Sequence, residues 1–110
     1  MTVHDELGAA LRELEATMKA ADLWRMERPD PEAYRSVQPF CIDTMTLPQW
    51  LRFVLIVRLE ALVESRSPMP STCDVAPAVE AWLTQEGARV SDRLLLCRVV
   101  EEIDRLVTEN

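Results

Sequence analysis

Seven prolines and only two glycines constrain this 110-residue chain more than any other feature. The prolines, at positions 29, 31, 39, 48, 68, 70 and 77, lie between or at the starts of long stretches in which apolar residues recur every three to four positions. Proline lacks a backbone N–H and disfavours helix at the preceding residue, so it marks boundaries of helices and not their interiors. Strands would call for β-branched and aromatic residues bounded by glycine-containing turns, and only 5% of the residues are aromatic. The expectation is an all-α, single-domain four-helix bundle over residues 1–110 with an extended, proline-containing segment between helices 1 and 2.

The first helix is expected from Thr2 to Leu23, with Thr2 as N-cap, Asp5 three residues on, and Leu7, Leu11, Leu14, Met18 and Ala21 along one face. A connection from Arg25 to Met45 follows. Within it Asp30, Pro31 and Glu32 read as a cap and first helical position for one or two turns through Arg35. Ser36 to Asp43 is expected to run extended over the bundle with Phe40 and Ile42 turned inward. Thr46 and Gln49 form a capping box, with Met45 and Trp50 as hydrophobic staple, opening a second helix that is apolar on nearly every side and therefore expected at the centre. On a regular helical wheel Arg58 falls beside Leu51, Val54 and Leu62, while Ile56 and Val63 fall inside the polar stripe. A third helix is expected from near Asp74 to a stop at Gly87, with Pro77 in its first turn. A fourth starts at Ser91 or Asp92 and runs to Thr108, with Leu95, Val99, Ile103, Leu106 and Val107 inward and Glu101, Glu102, Asp104 and Glu109 outward.

Charge narrows the classes of function. Twelve Lys and Arg against nineteen Asp and Glu give a net charge of −7, which argues against autonomous nucleic-acid binding. The basic residues, eleven Arg and Lys19, form no run, and Arg25 and Arg28 near Trp24 are the nearest thing to a patch. The apolar run Phe53 to Val57 is far shorter than a membrane span, and the N-terminus lacks the apolar core of a secretory signal, so a cytoplasmic protein is expected. Cys41, Cys73 and Cys97, odd in number and widely spaced, read as reduced thiols.

No cofactor or metal is read from the chain. Zinc needs about four clustered ligands, and here one histidine, His4, accompanies three scattered cysteines. Two glycines cannot build a phosphate-binding loop. A nucleophilic cysteine would need a base beside it. Cys97, in the run Leu94 to Cys97, reads as core, whereas Cys41 and Asp43 lie closer to a possible site.

The block Val37-Gln38-Pro39-Phe40-Cys41-Ile42-Asp43-Thr44, followed by Trp50-Leu51, the apolar run to Arg58, Pro68-Met69-Pro70 and Val75-Ala76-Pro77 with Glu80, resembles the YqcC family of small bacterial proteins. The resemblance spans essentially the whole chain. Two positions depart from the family pattern: Val57 stands where a proline precedes the arginine, and Ala78 and Val79 stand where aromatic residues follow Ala-Pro. The resemblance implies an α-helical bundle and assigns no catalytic residue. It also implies a link to the tRNA pseudouridine synthase TruC, beside whose gene family members commonly lie. The expected function is therefore a non-catalytic partner of that synthase supporting tRNA modification. Arg25, Phe40, Cys41, Asp43, Trp50 and Arg58 are the candidate contacts, because aromatic and Arg side chains dominate interface energetics. The alternatives are a small-molecule-binding or thiol-dependent helical protein centred on Cys41, and a homo-oligomer associating through the flank at Ile56 and Val63.

Overall fold

The computed structural model describes residues 2–110. Thr2 opens helix α1, Val3–Ala20, through a capping box: its hydroxyl accepts from the Asp5 N–H at 3.2 Å and its own N–H donates to the Asp5 carboxylate at 3.3 Å. These bonds, with Arg66 beside it, hold the Asp5 carboxyl below the usual carboxylate range. Helix α2 has three continuous parts, Leu47–Trp50, a π-helical turn Leu51–Leu55, and Ile56–Ser65. Its start is the expected box, with the Thr46 N–H donating to Gln49 Oε1 at 2.8 Å and the Gln49 N–H to Thr46 Oγ1 at 3.2 Å. Helices α3, Ala76–Gln85, and α4, Val90–Thr108, complete the bundle, and no strand occurs among the described residues.

Three helices stop in the same way. An N–H two or three residues beyond the helix returns to a carbonyl five residues back: Leu23 to Met18 at 2.8 Å, Ser67 to Leu62 at 3.2 Å and Ala88 to Leu83 at 3.0 Å. Each such Schellman ending places one residue in the left-handed region, here Asp22 (φ 60°), Arg66 (φ 55°) and Gly87 (φ 69°). Glycine suits that conformation, so the stop at Gly87 follows from sequence. Asp22 ends α1 at Ala20, three residues before the expected Leu23.

The π-turn corrects the phase of α2. The Ile56 N–H bonds to the Leu51 carbonyl five residues back, so one extra residue occupies the turn. At about 100° per residue, everything downstream is rotated by that amount relative to a regular helix. Leu59 thus takes the inward place that regular periodicity assigns to Arg58, which is exposed, and Ile56, expected in the polar stripe, is 4% exposed. Val63 lies against Gly8 of α1, where a Cβ on that glycine would stand 3.5 Å from Val63 Cγ1. Of the flank expected to self-associate, Ile56 is therefore turned into the fold, while Val63 is half-buried beside α1. The irregularity arises with Val57, not proline, at the position where the family pattern differs.

α2 is not the central helix. It packs on α1, α1 packs on α4, and α4 packs on α3, so α1 and α4 form the middle pair. Leu7 and Leu14 of α1 and Val100 and Ile103 of α4 are fully buried. On α4 the inward stripe is Leu96, Val99, Val100, Ile103, Leu106 and Val107. Of three consecutive leucines only Leu96 fits that spacing, which leaves Leu95, expected inward, 52% exposed.

The connection between α1 and α2 also departs from expectation. Pro31–Arg35 forms the expected short helix, of 3-10 type, but Ser36 to Asp43 is folded back and not extended. Pro39–Cys41 makes a second 3-10 turn in which Phe40 (φ 58°) and Cys41 (φ 49°) are both left-handed. The two-residue alternation of an extended chain is lost there. Phe40 stays half-buried, while Ile42, expected inward beside it, is 57% exposed. No helix of the described residues is long and apolar enough to cross a membrane.

Candidate functional site

The strained turn serves one visible purpose: it lays the Phe40 ring edge-on against Trp50 in the first turn of α2, with centroids 5.0 Å apart and planes at 84°. Two consecutive left-handed non-glycine residues cost on the order of 1–3 kcal/mol each and persist only where the surroundings enforce them. The turn is fastened by Thr44, whose hydroxyl donates to the Ala33 carbonyl at 2.7 Å, and by Ser36, whose hydroxyl donates to the Asp43 carboxylate.

From the Phe40–Trp50 pair a groove of about 530 Å3 runs between α2 and the segment before α3. Leu55, Leu59 and Leu62 of α2, with Val75 and Val107, make its apolar lining. Arg58 stands on one rim, rotated outward by the π-turn, and makes no ion pair among the described residues. Pro70, Thr72, Cys73 and Asp74 form the opposite wall.

That wall is positioned by Asp104, a residue expected on the outward, solvated face of α4. Its carboxylate accepts from the N–H groups of Val75 (2.9 Å) and Ala76 (2.8 Å), capping α3 from another helix in place of a local cap. It also accepts from the Cys73 thiol at 3.2 Å. Thr108 adds a second tie, accepting from the Cys73 N–H and donating to the Cys73 carbonyl, both at 3.0 Å. Burial first, then the hydrogen bond and charge of Asp104, push the Cys73 thiol up to about 12. Burial likewise raises the thiol of Cys97, which is buried as expected.

Of the six candidate contacts, Phe40, Trp50 and Arg58 line this one groove. Cys41 and Asp43 belong to the turn that presents Phe40; Cys41 is half-buried and Asp43 exposed. Arg25 does not join them. It lines a separate hollow with Lys19, Asp22 and Trp24. No base is placed at Cys41 by the single histidine, because the His4 imidazole lies 2.7 Å from the Ser67 carbonyl. Among the described residues no group of three or more His, Cys, Asp or Glu side chains is arranged to hold a metal ion. The groove floor and Asp104 were not singled out from sequence. The π-turn hides the phase of Leu59, and Asp104 acts on residues far away along the chain.

Comparison with known proteins fits this architecture. Residues 6–106 match the model of the DUF446 family, described as tRNA pseudouridine synthase C. YqcC of Escherichia coli K12 is 34% identical over 110 residues, covering all of this chain and 98% of its own. The solution NMR structure of E. coli YqcC superposes with a TM-score of 0.82 at 35% identity, covering 99% of this chain and 91% of that one. A protein of Pectobacterium carotovorum named tRNA pseudouridine synthase C is 30% identical over 70 residues, which are 64% of this chain and 19% of that protein. The full-length similarity in sequence and in fold places this chain in the YqcC family.

Proposed function

We propose that this chain is a non-catalytic partner of a tRNA pseudouridine synthase, docking that enzyme through the Phe40–Trp50–Arg58 groove and so supporting tRNA modification. The observation that carries the reading is the 70-residue match to a protein named as that synthase, of which it occupies 19%. Four-fifths of that polypeptide is other sequence, so a module like this one travels there joined to another. Joined modules meet at millimolar effective concentration, whereas separate chains must meet through a built interface. The groove has the composition of such an interface: an aromatic anchor pair, an apolar floor and an unpaired Arg on the rim. The net charge of −7 adds steering toward the basic surface an RNA-binding enzyme presents.

Two of the three thiols, Cys73 and Cys97, support a binding role over a catalytic one. Cys73, the cysteine that lines the groove, is held protonated by burial and by its bond to Asp104, and Cys97 is buried. The test is co-expression of the tagged chain with the synthase, followed by co-elution at physiological salt and turnover on unmodified tRNA with and without the chain. Co-elution with altered turnover is expected, and Phe40→Ala is expected to weaken co-elution. Absence of co-elution together with unchanged turnover overturns the reading.

A further inference from the structure

The groove between α2 and the segment before α3 is apolar along its floor and charged at two points. Leu55, Leu59 and Leu62 follow one another at four- and three-residue steps, the spacing by which one helix seats its side chains against another, and they span two turns, roughly 10 Å. Among the residues lining the groove only Arg58 and Asp74 carry charge, and they stand on opposite sides. Both are exposed, and neither makes an ion pair among the described residues. Behind Asp74 the Asp104 carboxylate is bonded to Val75 and Ala76, so that wall is negative. The acids of α2 itself, Glu60 and Glu64, line a different hollow against α1, which leaves the Arg58 rim positive. The backbone of the wall has little to offer a ligand: Pro70 has no N–H, and those of Cys73 and Val75 are taken by Thr108 and Asp104. An extended peptide would find no continuous set of free donors there, and no strand edge occurs among the described residues.

We infer that the groove takes an amphipathic helix of the partner protein, with apolar side chains in the groove, a carboxylate at Arg58 and a cation at Asp74; the inference rests on the docking reading proposed above and names the element that docks. A helix satisfies its own backbone hydrogen bonds, so it asks of the groove only apolar surface and matching charge. A cavity of about 150 Å3 accepts one benzene-sized group, so a groove of about 530 Å3 holds about three side chains. That is one face of a two-turn helix whose backbone lies outside the rims. The unlike charges across the groove fix the direction of the helix. Laid the other way, with the same face down, it would bring its carboxylate onto Asp74 and its cation onto Arg58.

The experiment maps hydrogen exchange of the synthase with and without the chain, then reverses charge on both sides of the contact. Protection is expected over one helical segment of the synthase that carries a carboxylate beside its apolar stripe. Changing that carboxylate to Lys is expected to weaken binding of the wild-type chain about tenfold, and the Arg58→Glu chain to bind the changed synthase better than the unchanged one. Protection of a strand or a proline-rich stretch, or failure of the paired reversal to restore binding, overturns the inference while the docking reading stands. If no complex forms, the docking reading fails separately. The chain is then titrated with a stapled helix of about four turns, bearing leucines at i, i+4 and i+7 and Glu along one flank and Lys along the other. Saturable shifts of the Leu55 to Leu62 amide signals, with preference for the opposite flank arrangement in the Arg58→Glu/Asp74→Lys chain, support the inference. No saturable binding, or no change of preference, overturns it.

Discussion

At Cys73 the carboxylate that caps α3 also fixes the state of a thiol. Burial, and after it the Asp104 bond, hold that thiol protonated, raising it from an ordinary value of 9.0 to about 12. A group whose pKa is raised by folding stabilises the fold fully below its unfolded pKa, and the contribution disappears as pH climbs through the folded value. Alkaline destabilisation attributable to Cys73 is therefore expected between about pH 9 and 12. Urea midpoints measured from about pH 8 to 11 should fall more steeply for wild type than for Cys73→Ala, and parallel curves would refute the assignment. Neither Asp104 nor the left-handed stops at Asp22 and Arg66 are legible in the sequence. An Asp among Glu101, Glu102 and Arg105 reads as solvated helix surface, and its partners at Val75 and Ala76 are close only after folding. Asp22 and Arg66 occupy a conformation that sequence patterns associate with glycine, so only the stop at Gly87 could be read.

Helix starts were legible where the signal was local: the N-cap expected at Thr2 and the capping box expected at Thr46 involve residues three apart and are both present. The phase of α2 was not, because a π-turn changes the period without a proline or glycine to mark it. This has a direct thermodynamic consequence. Leu59→Ala should cost about 2–5 kcal/mol as a core truncation, and Arg58→Ala should change stability by less than about 0.5 kcal/mol. A regular helix would make Arg58 the buried position and reverse that order, so chemical denaturation of the two variants distinguishes the geometries. The same rotation makes the candidate site: it turns Leu59 to the groove's lining and Arg58 to its rim. The Gln38–Thr44 block is identifiable as special from its residues, but its course departs from the extended path expected, because two successive left-handed residues turn Phe40 onto Trp50 and leave Ile42 outside.

For the molecule as a whole, helix number and sequence order followed from proline placement and apolar periodicity, whereas spatial order did not. A helix apolar on nearly all sides looked central, yet α2 packs on α1 and keeps part of its apolar surface for the groove. The radius of gyration of 13.5 Å is that of an ordinary packed domain near this length, so the groove is a surface feature of a folded unit, not a loosely packed core. Three of the six contacts expected from sequence meet there, and Arg25 lines a separate hollow. The central claim is that the groove docks a tRNA pseudouridine synthase. Calorimetric titration of the purified chain into the purified synthase tests it most directly, with Arg58→Glu as the comparison. The account predicts saturable binding by wild type, weakened about tenfold or more by the substitution at unchanged thermal stability. No binding by wild type, or equal affinity for the two chains, would contradict it.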